Sequence, residues 1–474
     1  MMRTLLSSLA VLAVLIAPAE AQPAATSPAQ PGPPAMTLPD ALAYALAHYP
    51  TIKVALEQVN ASTAGVSVAK AASLPHLDAL WQTNRATVNN VTGLLLPQPT
   101  LPSISGPPLA EASSSSVWGS AAGAFLSWEP FDFGLHDAGV RSAEAAAARA
   151  RADETLTRLE VQSAVGAAFL AVVQAEQAVA SARADVERRT VLARAARALA
   201  DNQLRPGAEA SMADAERAAA ETRAIMARQT VIVAQTTLAR VLGVTTGPVT
   251  VNAAGLLATA PATDAASDDP RAHPLAQARQ ASIELARTQE EVLAQTNRPR
   301  LYLQSALFAR GSGAAFNGAL EGGANGLGLD RANWAAGIQV VFPNLFDGSS
   351  LSARRSASAA TTRAESARHE EALLLVTSQQ HAASAMVAAA RAIAANTPVQ
   401  LAAARQSESQ AAARYQAGLA SIVEVADAQN LLVQAEYQDA VARVEVWRAL
   451  LADAVAHGDV APFVSLVASA GGGR

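Results

Sequence analysis

Two very long stretches without proline constrain this chain more than any other feature. One runs from Leu135 to Arg205 and the other from Leu345 to Thr397, and both are rich in alanine, arginine, glutamate, glutamine and leucine. About 70 helical residues, each rising about 1.5 Å, would form a rod of roughly 105 Å, whereas an ordinary helix has about 11–12 residues. Helices of such length occur in coiled coils and helical tunnels. We therefore predict a mainly α-helical protein built from long rods.

The same order of features occurs twice along the chain. Pro50 and Pro75 bracket a helix-like segment, and Pro274 and Pro299 bracket another at the same spacing. A β-like pair, a long helix, a glycine turn and a returning helix follow each time, which is the signature of an internal repeat. The predicted boundaries are a first repeat at 38–247, with strands at 76–92 and 116–129 and long helices at 135–205 and 208–242; a linker at 248–271; a second repeat at 272–457, with strands at 300–310 and 333–343 and long helices at 349–416 and 420–456; and a C-terminal tail at 458–474.

The predicted strands alternate with a period of two and carry aromatic residues at their ends. Trp118 and Trp128 bound one apolar alternation, and Trp334 and Phe342 bound another. Ten residues tilted by ~40° rise about 25 Å, the height of the apolar band of an outer-membrane barrel, with aromatics at both membrane interfaces. A half-buried strand of a soluble sheet is the alternative. Because four strands cannot close a barrel and a membrane tolerates no open edge, the barrel interpretation predicts an oligomer, with three copies giving twelve strands.

Each long helix ends at a glycine-containing turn, so each repeat is predicted to form an antiparallel helical hairpin. Arg205, Pro206 and Gly207 form the first turn, and Gly418, Leu419 and Ser421 belong to the second.

The N-terminus reads as a secretory signal peptide. Arg3 precedes an apolar run from Leu5 to Ala17, and an Ala-x-Ala end predicts cleavage after Ala21, hence a signal peptide at 1–21. An uncleaved anchor is the alternative. Residues 22–37 are rich in proline, alanine and glutamine and predict a flexible lead-in.

Composition excludes several functions. The chain has no cysteine, which removes disulfides, thiolate chemistry and a lipoprotein anchor, and its only lysines are Lys53 and Lys70. The net charge is −5 without any basic block, so nucleic-acid binding is not expected. The seven histidines never fall at helical ligand spacing, and no nucleophile–base motif occurs. We therefore expect that the protein has no metal site, binds no cofactor and is not an enzyme.

Several motifs resemble the outer-membrane efflux protein family, the TolC and OprM group. The similarity covers about residues 38–456 and begins at Thr37-Leu-Pro-Asp-Ala-Leu42. It includes Asn297-Arg-Pro-Arg-Leu301, Phe346-Asp-Gly348 and, most specifically, the stretch from Arg414 to Gln429. The resemblance implies a homotrimer whose twelve-stranded barrel lies in the outer-membrane lipid of a Gram-negative cell and continues as a helical tunnel through the periplasm. It further implies that the hairpin tips dock a periplasmic adaptor (a membrane fusion protein) joined to an inner-membrane pump.

A periplasmic gate also follows from the resemblance. Family gates use an arginine with nearby carboxylates, and these positions fall on Arg405 and Glu408. The acidic positions one and two turns further on are Ser409 and Ala412 here, which puts a tight acidic ring in doubt. A solvated coiled-coil charge is the alternative reading of Arg405. Pro398 would kink the helix where a closing hairpin must bend inward, or would simply break it.

The sequence leaves three functions open. The family resemblance favours the outer-membrane channel of a tripartite export system that conducts small molecules such as drugs. The same architecture serves type I protein secretion and metal efflux. Outside the family, a periplasmic coiled-coil adaptor or scaffold would also contain long hairpins. The sequence does not identify the exported substrate, the pump class or the adaptor.

Overall fold

The computed structural model describes residues 35–87, 114–245, 247–253, 255–257, 269–314, 319–320, 323–343 and 348–471. The predicted signal peptide at 1–21 and nearly all of the segment at 22–37 lie outside these residues, as do Phe346 and Asp347.

Helices dominate the described chain. In chain order the elements are α1 (Leu38–His48), α2 (Pro50–Ala71), β1 (His76–Thr87), β2 (Ser116–Phe131), α3 (Leu135–Asp201), α4 (Gly207–Leu242), a 3₁₀ turn (Pro270–Ala272), α5 (Pro274–Gln295), β3 (Arg300–Ser312), β4 (Arg331–Val341), α6 (Gly348–Gln416), α7 (Ile422–Ala456) and α8 (Ala461–Gly471).

Two helices are exceptionally long. α3 has 67 residues and α6 has 69, so each is a rod of about 100 Å. α6 continues through Pro398, so the interpretation of this proline as a helix break is wrong. The preceding residue, Thr397, is buried and donates its hydroxyl to Asp439 on α7 at 3.1 Å. This contact with the neighbouring helix supports α6 where the proline removes a backbone donor.

The strands form one antiparallel sheet in the order β1-β2-β3-β4. The central pairing, β2 with β3, joins strands that are far apart in sequence, and its register shifts between Trp128 and Phe131. The sheet therefore connects the two halves of the chain at the same level, with the long helices leaving from the ends of β2 and β4.

The main core lies where α1, α3, α4, α7 and α8 meet, and it is built around Trp447, Phe169 and Leu238, all fully buried. Small residues permit the close packing of these helices. At Gly166 an added Cβ would lie 2.6 Å from a methyl carbon of Leu451, which is nearer than packed carbon atoms can approach.

The segment at 458–474, assigned from the sequence as a C-terminal tail, contains the helix α8. Its Phe463 packs edge-on against Trp447, with ring centroids 6.3 Å apart, and Val467 is buried beside it. α8 thus closes one side of the main core.

One described helix, α3, is long and apolar enough to cross a membrane by length and composition. Its apolar stretch includes Val165, Phe169 and Val173, which are completely buried in the main core. Burial against other helices accounts for these residues, so α3 is a core helix.

Candidate functional site: the hairpin tips and the apolar sheet face

The turns of the two long hairpins meet at one end of the molecule, here called the paired tips (202–209 and 415–421). The guanidinium carbon of Arg205 lies 5.1 Å from the centroid of the Tyr415 ring, and its Nη2 donates to the Tyr415 carbonyl at 3.5 Å. The Tyr415 hydroxyl donates to Glu209 at 3.1 Å. A cation–π contact and two hydrogen bonds thus tie the turns together.

Local sequence explains both turns. Gly418 has φ of +78°, a left-handed conformation that glycine adopts without strain and that ends α6. Ser421 and Glu424 then form a capping box that starts α7. In the first turn, Pro206 precedes the first residue of α4, Gly207, where its missing N–H costs nothing.

The paired tips combine a fixed interior with an apolar exterior. Burial raises the pKa of the Tyr415 hydroxyl, and its hydrogen bond to Glu209 raises it further, so this hydroxyl stays a donor at neutral pH. Leu204 and Leu419 are by contrast 69% and 70% exposed. The two turns therefore present two leucines to solvent from a rigid base, an arrangement that suits docking of another protein.

A buried charge network lies below the tips and joins three helices. Arg189 on α3 is 1% exposed; it donates to Asp185 at 2.8 Å, to Glu216 on α4 at 2.6 Å and to Asn430 on α7 at 2.6 Å. Arg223 on α4 adds a bond to Asp185 at 2.9 Å. The network fixes the hairpin of α3 and α4 against α7.

The predicted gate residues lie on α6, between the tips and Pro398. Arg405 is exposed and Glu408 is half-buried. Among the described residues of this single chain, neither makes an ion pair within 4.0 Å, so they do not pair with each other here. Pro398 lies seven residues before Arg405 on α6, which at about 1.5 Å per residue separates them by about 10 Å along the helix axis.

One face of the sheet is apolar and largely exposed, except where Ser120 on β2 is buried and donates to the carbonyl of Gly326 at 2.7 Å. Register places its residues on alternate positions of all four strands, so that Trp81 lies opposite Ala122 and Leu307 lies opposite both Ala124 and Trp334. Trp334 is 79% exposed and Leu307 is 68% exposed. Members of this apolar sheet face are Leu77, Ala79, Trp81, Trp118, Ala122, Ala124, Leu126, Trp128, Leu301, Leu303, Leu307, Ala309, Trp334, Ala336, Ile338 and Val340.

The opposite face of the sheet is polar at many positions. Asp78, Gln82, Asn84, Gln304 and Gln339 lie on it, together with a small cluster around Phe308. A soluble sheet would expose its polar face and bury its apolar face. In this sheet Trp81, Leu307 and Trp334 on the apolar face are exposed, whereas Phe308 on the opposite face is buried.

The four predicted interface aromatics lie on or beside the apolar sheet face. Trp118 and Trp128 stand near opposite ends of β2, and the Trp128 indole donates to the carbonyl of Ser73 at 3.0 Å. Trp334 lies near the start of β4, and Phe342 directly follows its end and is exposed.

Sequence reasoning missed three features of these sites. Trp81 belongs to the apolar sheet face, and the alternation of Leu77, Ala79 and Trp81 could have revealed it. Tyr415 lies inside the most specific motif, but its partners Arg205 and Glu209 are too distant in sequence for the motif to predict them. No local signal marks the Arg189 network, because Asn430 is 241 positions away in sequence.

One group of described acidic and histidine side chains is compact enough to hold a cation. The ligand atoms of Glu129, Asp132 and His136 lie within 4.8 Å of one another. Asp132 accepts the backbone N–H groups of Gly134, at 3.0 Å, and of His136. Burial works against ionisation, but these bonds hold the pKa of Asp132 below its usual value. Since His136 contacts Asp132 through Nδ1 and the Ala72 carbonyl through Nε2, the group is a hydrogen-bonded junction between α2 and α3.

Comparisons with known proteins agree with this geometry. Residues 41–244 match the family model described as outer membrane efflux protein. No curated protein sequence matches the chain.

Solved structures share the fold over most of the chain. The outer membrane protein VceC from Vibrio cholerae superposes with a TM-score of 0.70 at 17% identity, covering 89% of this chain and 96% of its own. The CmeC outer membrane channel of Campylobacter jejuni gives 0.73 at 14% identity, covering 89% and 85%. The MtrE outer membrane channel of Neisseria gonorrhoeae, in its open state, gives 0.69 at 16% identity, covering 89% of each chain.

The resemblance to the outer membrane efflux protein family is therefore confirmed: residues 41–244 match its model, and the described chain has the fold of solved outer-membrane channels.

Proposed function

We propose that this protein is the outer-membrane channel of a tripartite export system. The observation that carries the proposal is the apolar sheet face, whose large side chains are exposed and bounded by tryptophans. In water such a surface would drive association, whereas in a bilayer it is the surface that lipid requires. Outer-membrane localisation follows from the same observation, and the similarity to outer membrane efflux proteins supports transport by a channel.

The sheet requires partners to close. Among the described strands, β1 and β4 each pair on one side only, and an open edge is not tolerated in a bilayer. Three copies would join β4 of one to β1 of the next and give a barrel of twelve strands. Exposed apolar residues along the long helices, such as Ile225 on α4 and Leu374 and Val399 on α6, supply contact surface for the same homotrimer.

The long hairpins would continue the barrel as a tunnel through the periplasm. Each half of the chain supplies a strand pair followed by a long hairpin, so the two halves act as repeats that place six hairpins around one axis. A water-filled duct of this kind sets little selectivity. We assign it small molecules as cargo, delivered by an inner-membrane pump. Protein secretion and metal efflux systems use a duct of the same architecture. The substance that accumulates in the cell when the gene is deleted would distinguish the three functions.

The experiment is to express the full chain, separate inner and outer membranes, and run each fraction on a gel with and without boiling. We expect an outer-membrane band that shifts from trimer to monomer on heating. A soluble periplasmic monomer would refute the proposal and favour a coiled-coil adaptor or scaffold.

The paired tips, including Arg205, Gly207 and Gly418, are proposed to dock the periplasmic adaptor. Changing Leu419 to Glu should reduce export to the level of a deletion strain, because a charge would enter an apolar contact, where single residues can be worth about 2 kcal/mol or more. Efflux of a fluorescent small molecule measures the effect. Val68→Glu changes a similarly exposed residue on α2 and should leave efflux unchanged; normal efflux by the Leu419 variant would remove the tips from docking.

The gate proposal concerns Arg405, Glu408 and Pro398. Arg405 makes no ion pair with the described residues of its own chain, so it is available to a carboxylate of a neighbouring copy where three α6 helices converge. Replacing Arg405 with Ala should raise the conductance of the closed trimer in a planar bilayer, and Arg363→Ala, an exposed change on the same helix, should not. Equal conductance in all three proteins would assign Arg405 to an ordinary solvated helix face.

A further inference from the structure

A single charged residue stands on the apolar sheet face in the described part of the chain. Arg85 is on β1 directly opposite Trp118 on β2, and both share the face of Trp81 and Leu126. The register places no aspartate or glutamate on this face of the four strands. A lone positive charge on a surface that faces lipid needs a counter-charge, and the described strands supply none on this face.

The guanidinium of Arg85 is held in place. Its central carbon lies 5.8 Å from the centroid of the Trp118 ring, and its Nε donates to the Ser116 hydroxyl at 3.0 Å. Its two terminal nitrogens have no partner within the described residues. Stacking and one hydrogen bond thus orient a fork of donors whose terminal nitrogens bind no other described residue.

The position of Arg85 fits the rim of the membrane. Trp118 and Trp128 are ten residues apart on β2, which at a tilt of ~40° spans about 25 Å, the height of the apolar band. Arg85 therefore lies at the rim nearer the long loops. Around it on the same face stand three hydroxyl groups, those of Thr83, Thr87 and Ser116, all exposed.

We propose that Arg85, Thr87, Ser116 and Trp118 bind the phosphate group of an outer-leaflet lipid. This inference rests on the proposed barrel, in which the long loops face the cell exterior. An oriented guanidinium binds phosphate through two parallel hydrogen bonds, and hydroxyl groups add donors. Tryptophan favours the headgroup level, and arginine on the lipid face costs little there.

A neighbouring copy is the competing source of negative charge. β1 is an edge strand, and Asp330, exposed just before β4, would come near Arg85 across the joint between two copies. The proposal commits to lipid because Arg85 is stacked on Trp118 of its own chain, on the face that points away from the barrel interior.

The test compares lipid carried by purified trimers. The wild type, Arg85→Gln, Arg85→Lys and Asp330→Asn proteins are reconstituted with diphosphoryl lipid A or with its dephosphorylated form, and bound lipid is counted by native mass spectrometry. Arg331→Gln is the matched control, since Arg331 lies near the same rim but on the opposite face of the sheet. We expect Arg85→Gln to retain at least about fivefold less diphosphoryl lipid A, Arg85→Lys an intermediate amount, and Arg331→Gln and Asp330→Asn the wild-type amount.

Three outcomes would overturn the proposal: equal retention by Arg85→Gln, equal retention of phosphorylated and dephosphorylated lipid by the wild type, or the same loss in Asp330→Asn, which would assign Arg85 to the joint between copies. In each case lipid retention is measured on protein that shifts from trimer to monomer on heating. A wild type that yields no such trimer would refute the barrel itself, so the two failures are distinguishable.

Discussion

Changing Leu307 to Arg should remove most of the protein from the outer membrane. Leu307 lies in the middle of β3 on the apolar sheet face and is 68% exposed. In water, a substitution at so exposed a site changes stability by about 0.5 kcal/mol or less. At the midplane of a bilayer, an arginine on the lipid face costs about 2–4 kcal/mol in every copy of the chain.

The environment of the sheet therefore decides the size of this effect. The measurement is the amount of heat-modifiable trimer in the outer membrane. Gln304→Arg is the control: it introduces the same side chain on the same strand but on the opposite face, and it should assemble normally. If Leu307→Arg assembled as well as the wild type, the apolar sheet face would not be in contact with lipid.

Replacing Arg189 with Met should lower the free energy of unfolding by about 3–5 kcal/mol, because it removes the partner of a buried charge. Asp185 is 1% exposed and would keep only Arg223, whose side chain is half-exposed. Glu216 and Asn430 would also lose a hydrogen bond each. The contact between the hairpin of α3 and α4 and the helix α7 should loosen first.

The thermal midpoint of the helical circular dichroism signal, measured on the purified protein, tests this expectation. Arg194→Ala is the matched control, since Arg194 lies on the same helix but is exposed, and its midpoint should stay near the wild-type value. A midpoint for Arg189→Met close to that of Arg194→Ala would show that the network adds no stability.

The effects of Leu307→Arg and Arg189→Met arise in different parts of the molecule. Leu307→Arg acts through the solvent that surrounds the sheet, whereas Arg189→Met acts through desolvated charge inside the helical part. A variant that fails to insert should still contain folded helices, and a variant with loosened hairpins should still insert. Membrane fractionation and circular dichroism on both variants would therefore check that each failure arises where we place it.

Local periodicity accounts for much of what the sequence revealed. A long helix was expected at 135–205 and α3 runs from Leu135 to Asp201; another was expected at 349–416 and α6 runs from Gly348 to Gln416. Proline, glycine and alternation act within a few residues, so they can be read without knowing the fold. The apolar alternation around Trp334 was visible for the same reason.

Pairings over long distances decided the rest. The sequence placed turn residues at Arg205 and Gly418, but only the tertiary structure joins Arg205 to Tyr415. It likewise brings Arg189 to Asn430 and packs α8 on Trp447. The presence of Pro398 in the sequence does not decide whether the helix breaks or continues, because the outcome depends on contacts such as that between Thr397 and Asp439.

By itself, then, the sequence determined the type and approximate bounds of the long helices and the strands, apart from the continuity of α6 at Pro398, since these depend on residues close together in the chain. Which face of the sheet is exposed, which charges are buried and which turns touch were decided only by the tertiary structure. The physical reason is that burial and ion pairing depend on residues such as Asp185, Arg189 and Asn430 arriving together from distant parts of the chain.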